Sequence, residues 1–201
     1  MREKISKKEV HSKNSAEVDI PGKPKIIVIV GPNASGKSAL AVQIAQKIKG
    51  EIISADSRQI YKELNIATGK ISKKEMTGVP HHLLDITDPQ KQFTVVDFKK
   101  LAEKIIQDII ARQKTPIVVG GTGFWIDSLI YNYNLPAVPP DQILRKKLAK
   151  KNAAELFKIL KKMDPQRAKT VEQKNPRRLI RAIEIAQTLG YTPKIKKQFV
   201  R

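Results

Sequence analysis

The 201-residue chain contains no cysteine. That excludes a disulfide framework and a thiolate metal site, and it fits the reducing cytoplasm in which the protein is expected to work. No apolar run is long enough to span a bilayer, so no membrane partner is expected. The opening stretch, MREKISKKEVHSKNSAEVDIPGK, lacks the apolar segment of a secretory signal. Residues 1–24 read as a flexible tail. Acidic side chains are scarce, with 19 Asp and Glu against 39 Lys and Arg and a net charge of +20. The shortage is local. Residues 141–201 hold 18 basic and 5 acidic side chains, whereas residues 26–140 hold 14 and 10. A lysine-rich surface is often only a soluble one, but a one-sign excess this concentrated attracts polyanions, so nucleic acid is a candidate partner class, bound in a salt-sensitive way. No internal repeat is visible.

The order of elements is legible from periodicity. Ile26–Val30 is a β-branched run of the kind found in strands buried on both faces. Leu40, Ile44 and Ile48 then recur at helical spacing over Ser38–Lys49, and Gly50 stops the helix. Glu51–Ser54 reads as a second short strand. Residues 62–92 are loop-rich, with Gly69, Gly78, Pro80 and Pro89 as breaks. Thr94 and Asp97 form a capping-box pattern ahead of a helix with the stripe Phe98, Leu101, Ile105 and Ile109. Pro116–Val119 is the third strand. Alternation of strand and helix predicts a parallel sheet with crossover helices, a P-loop NTPase-like α/β core over residues 25–138. From Asp141 onward the pattern is helical, so residues 139–201 form a basic all-helical region.

The chemistry begins at Gly31-Pro32-Asn33-Ala34-Ser35-Gly36-Lys37-Ser38, which fits G-x-x-x-x-G-K-[ST] between a strand and a helix. Small residues let the backbone amides converge on an anion, the helix N-terminus adds partial positive charge, Lys37 adds a full charge, and Ser38 can ligate Mg²⁺. The site therefore holds a di- or triphosphate, and the motif does not say of what. The second strand runs into Asp56-Ser57-Arg58-Gln59 and the third into Gly120-Gly121-Thr122. In an open parallel sheet these loops gather beyond the strands' carboxyl ends. Asp56 is a candidate general base or metal partner there, against the plainer role of a turn cap. His81-His82 is read as a surface or packing pair rather than a metal site. Asp85 and Asp88 are read as turn formers, and Trp125 as core rather than a base-stacking platform. In the last helix Asn175 caps, Pro176 opens and Gly190 closes. Leu179, Ile180, Ile183 and Ala186 share one face, opposite Arg177, Arg181, Glu184 and Thr188. The arginine pair is either relieved by Glu184 or built for phosphates.

The segments GPNASGKSAL, ISADSRQIYKELNIATGK, HHLLDITDP, VVGGTGFWID and NPRRLIRAIEI, in this order, closely resemble the tRNA dimethylallyltransferases of the bacterial type, also called tRNA isopentenyltransferases. The likeness covers about residues 25–195. It implies that the P-loop, a nucleotide-binding and ATP-binding motif elsewhere, here holds dimethylallyl diphosphate with Mg²⁺. The prenyl group would move to N6 of the adenosine 3′ of the anticodon in tRNA. On this resemblance Asp56 is the catalytic base and also touches the tRNA, Lys37 stabilises the leaving diphosphate, and Thr122 belongs both to the catalytic set and to the tRNA site. Ser57, Arg58 and Gln59 would contact substrate, and Arg145, Arg177, Arg178 and Arg181 would grip the anticodon stem-loop. A monomer is expected. Family members continue past this C-terminus, so the family's C-terminal part is expected to be missing and a sheet edge exposed. Two rivals follow from the residues themselves. One is a small-molecule kinase or other NTPase using the loop on ATP or GTP. The other is a non-catalytic tRNA-binding form kept for its basic helices. The lack of a Walker-B strand argues mildly against the first.

Overall fold

The computed structural model describes residues 26–195. The chain divides between Asn132 and Tyr133 into two compact units. The first is built on a four-stranded sheet: β1 (Ile27–Val30), β2 (Glu51–Ser54), β3 (His81–His82) and β4 (Pro116–Gly120). The order is β1-β4-β2-β3 and every pairing is parallel. Ile117 stands beside Ile27 on one side and Ile52 on the other.

Side-chain alternation sends these strands into two cores. Ile53 and Val118 face α3 (Val95–Ala111) and α4 (Gly123–Ile130), where Phe98, Ile109, Trp125 and Ile126 are buried. Ile52, Ile117 and Val119 face α1 (Lys37–Ile48) through Ala41, Val42 and Ala45. Helices cover both faces, which is why β2 and β4 are buried at every position.

Four expectations need correction. β1 is not buried on both faces: its residues are half-buried and Val30 is 54% exposed. It is one of the two edges of the described sheet, paired only with β4. The 62–92 stretch is loop-rich as expected, but it adds two elements absent from that reading, strand β3 and a one-turn helix, α2 (Lys73–Met76), with a Ser72–Glu75 capping box. A two-residue strand has no period to read. It exists because Pro80 accepts the Ile52 amide at 2.9 Å. On α1 the buried positions are the small ones, and Leu40 and Ile48 face out. Ala41 and Ala45 let the helix lie close against the sheet, so size outweighed hydrophobicity in choosing the face. On α3 the buried row is Phe98, Ala102, Ile106 and Ile109, while Leu101 is partly exposed. The expected row differs from it by one residue at the two middle positions. The Thr94–Asp97 capping box is present in full.

All described elements of the second unit are helices: α5 (Gln142–Leu148), α6 (Ala153–Met163), α7 (Pro165–Ala168) and α8 (Pro176–Leu189). Leu148, Leu156, Leu160, Val171, Leu179 and Ile183 form its core. Each helix is capped by a side chain that accepts a first-turn amide: Asp141, Asn152, Asp164 and Asn175. Gly190 closes α8 in the left-handed region.

Candidate functional site

β1 delivers the chain into Gly31–Ser38. Ala34 and Gly36 both have positive φ, 59° and 79°, and such alternation curls successive amides toward one point. Gly36 enters α1 with no side-chain cap, so the helix's first amides remain available to an anion. The Lys37 ammonium donates to the Pro32 carbonyl and so lies over the loop. Ser38 lines a small cavity with Ser54, Gln59 and Val119.

The β4–α4 turn locks the neighbouring loops together. A Cβ on Gly120 would lie 2.2 Å from the Ala55 carbonyl oxygen, a distance only glycine allows. A Cβ on Gly121 would lie 3.2 Å from Asn33 Oδ1 and 3.7 Å from the Gly31 carbonyl oxygen, so this turn touches the P-loop. Thr122 donates its amide to the Ala55 carbonyl at 3.2 Å. Its hydroxyl oxygen accepts the Ser57 amide at 2.9 Å and donates to Ser57 Oγ at 3.3 Å. Thr122 therefore ties the third loop to the second, directly beside Asp56.

Asp56 accepts the Arg58 amide through one carboxylate oxygen at 2.9 Å. That bond orients the carboxylate, and among the described residues the side chain accepts no other. Arg58 is exposed. Gln59 is differently employed: its Oε1 accepts from Ser54 Oγ at 3.4 Å, and its Nε2 donates to the carbonyls of Thr68 and Gly69 at 3.3 and 3.2 Å. It anchors the 64–70 loop to the end of β2, a role that spacing did not reveal. The loops after β1, β2 and β4 thus bring Lys37, Asp56 and Thr122 to one edge of one sheet, with helices on both faces to hold it.

Arg145, Arg177, Arg178 and Arg181 lie in the second unit. Glu184, expected on the outward face of α8, is 1% exposed. Arg145 grips it through Nε and Nη2 at 2.9 and 2.8 Å, Arg181 also bonds it, and the Asp141 amide donates at 2.7 Å. Burial alone would raise the carboxyl; the two guanidinium bonds and the amide outweigh burial and hold it at about 2. Arg181 also donates to the Val138 carbonyl at 2.9 Å. Glu184 thus relieves the arginine repulsion, and it does so from inside. Arg177 is exposed, and Arg178 pairs with Glu172 at 3.1 Å.

A second buried carboxylate was missed. Glu51, at the amino end of β2, is 2% exposed and bonded by Arg112, by Lys114 at 2.7 Å and by His82 at 2.8 Å. Arg112 above all holds its carboxyl far below the ordinary range, against the opposing effect of burial. His82 thus packs against a carboxylate distant in sequence. His81, bonded to the Val79 carbonyl, has a lowered pKa because burial disfavours its charged form. Trp125 is core, stacked on Phe98 at 4.6 Å. Asp88 forms the expected turn by accepting the Gln90 amide, while Asp85 pairs with Lys70.

A family profile described as IPP transferase matches residues 59–199. The chain belongs to the IPP transferase family. Its relatives include the tRNA dimethylallyltransferases of Geobacillus thermodenitrificans, 47% identical over 83% of this chain and 54% of that one, and of Anoxybacillus flavithermus, 45% identical over 84% and 54%. The chain spans about half the length of the curated relatives it matches. Among solved structures it is similar to the tRNA isopentenylpyrophosphate transferase of Bacillus halodurans, with 40% identity and TM-score 0.57 over 84% of this chain and 57% of that one. A eukaryotic dimethylallyltransferase described as acting on tRNA has 31% identity and TM-score 0.71 over 88% and 46%. The IPP transferase fold and the P-loop-like sheet described above agree. No helix among the described residues is long and apolar enough to cross a membrane.

Proposed function

We propose that this IPP transferase chain moves a dimethylallyl group from dimethylallyl diphosphate to N6 of the adenosine 3′ of the anticodon in tRNA. The supporting observation is the convergence of the P-loop, Asp56 and Thr122 at one carboxyl edge of the sheet, in a chain whose relatives carry that name. The C1–O bond to diphosphate breaks as the N6 lone pair bonds C1. The N6 proton passes to Asp56 and the diphosphate departs with the bonding electrons. Lys37 and the amides of Asn33–Lys37 hold the growing negative charge; losing one such donor costs about 2.7–4 kcal/mol. Thr122 keeps Ser57 and Asp56 in register with the phosphate loop. The residues suit Mg²⁺: Ser38 offers a hard oxygen at the cavity, and this ion takes its remaining ligands from water and phosphate. When bound, the ion neutralises phosphate charge. The target adenine leaves its stack to reach the crevice. Arg177 and Arg178, exposed on the first turn of α8, would meet RNA phosphates, while Arg145 and Arg181 are already bonded to Glu184.

The test is incubation with radiolabelled dimethylallyl diphosphate and unmodified tRNA. Label enters RNA, and Asp56→Ala cuts transfer at least a hundredfold, on the order of 10²–10⁴-fold, while keeping diphosphate binding. Phosphate transfer from ATP to a small metabolite, with no label in RNA, would overturn the proposal.

A further inference from the structure

Ile66 is 98% exposed, the most exposed of the large apolar side chains described. Its loop is nonetheless firmly built. Thr68 Oγ1 donates to the Leu64 carbonyl at 2.5 Å, the Lys70 amide to the Asn65 carbonyl at 3.2 Å, and the Gly69 amide to the Ile66 carbonyl at 3.2 Å. Lys70 Nζ reaches the Tyr61 carbonyl at 2.7 Å as well as Asp85. Gln59, three residues beyond Asp56, clamps the loop through Thr68 and Gly69. Ordering a loop costs conformational entropy, and presenting an isoleucine to water returns none of it within this fold. The surrounding charge points to the missing contact. Arg58, Lys62, Lys73 and Lys74 are exposed along the same segment against the exposed carboxylate of Glu63, and Glu75 is occupied by its capping box.

We propose that Ile66 is an apolar wedge that packs against an unstacked base of the RNA, beside the base received by the Asp56 crevice. The inference rests on the tRNA reading and deepens it. Proteins that unstack bases insert aliphatic side chains of this kind, and the flanking cations would bind the adjacent phosphates without reading sequence.

The test uses an anticodon stem-loop RNA with 2-aminopurine at the target adenosine, whose fluorescence rises when the base leaves its stack. Wild-type protein should raise it. Ile66→Ala should melt with the wild type, lose most of the fluorescence rise and bind the RNA roughly tenfold more weakly through lost apolar burial. Ile143→Ala, which removes an isoleucine 84% exposed in the second unit, should change neither. Lys62→Ala should lower affinity and flatten its salt dependence while keeping the fluorescence rise at saturation. If Ile66→Ala matches the wild type in both readouts, the wedge is refuted and the tRNA reading stands. If the wild type neither binds the RNA nor changes its fluorescence, both fall.

Discussion

At the amino end of β2, Glu51 is buried under Arg112, Lys114 and His82, with both carboxylate oxygens taken. Two residues past the carboxyl end of the same strand, Asp56 is half-buried and bonded by a single backbone amide. One carboxylate is saturated and the other is left with capacity. A buried charge without partners is costly, so the first must be satisfied for the sheet to exist. The second can stay reactive because its loop, rather than its charge, is what neighbouring residues hold.

The contrast predicts opposite failures. The largest effect falls on chemistry: Asp56→Ala should cut prenyl transfer about 10²–10⁴-fold while the unfolding free energy from urea titration stays within about 0.5 kcal/mol of wild type. Next, Glu51→Ala should lower unfolding free energy by about 2–3 kcal/mol and leave diphosphate affinity intact. That is below the 3–5 kcal/mol expected for a broken buried pair, since Arg112 and Lys114 are 39% and 40% exposed and can rehydrate. If Glu51→Ala weakened diphosphate binding without destabilising the protein, the division of labour between the two ends would collapse. Gly120→Ala joins the ends: relieving the clash with Ala55 should cost about 1–3 kcal/mol and misplace Thr122, so calorimetry and transfer should decline together.

The smallest effect is in acid. Glu184 titrates near 2 in the folded state against 4.5 for the free side chain. A depressed folded value means its stabilisation is complete above the unfolded pKa and lost as pH falls. Stability should decline between about pH 4.5 and 2, and Glu184→Gln should flatten that decline in urea titrations at stepped pH.

Much of the phosphate site is local and was readable. A β-branched run, G-x-x-x-x-G-K-[ST] and a following helix describe β1, the P-loop and α1 without any distant contact. Capping residues work the same way, which is why Thr94, Asn175 and Gly190 bound their helices as expected. The misreadings share one cause. Which face of α1 is buried and whether Glu184 points in or out each depend on partners tens of residues away, and what Gln59 holds depends on a loop that carries no period. Arg145 and Glu184 are separated by 39 positions, and Ser57 and Thr122 by 65.

The amino-acid sequence by itself determined the alternation of strands and helices, the anion-binding loop and the concentration of positive charge in the last third. Each follows from neighbours within a few residues or from composition. Only the tertiary structure decided that β4 lies between β1 and β2, that Thr122 fastens the Asp56 loop, and that Glu51 and Glu184 are buried counterions. Those outcomes depend on which distant segments pack together, and periodicity along the chain carries no record of that.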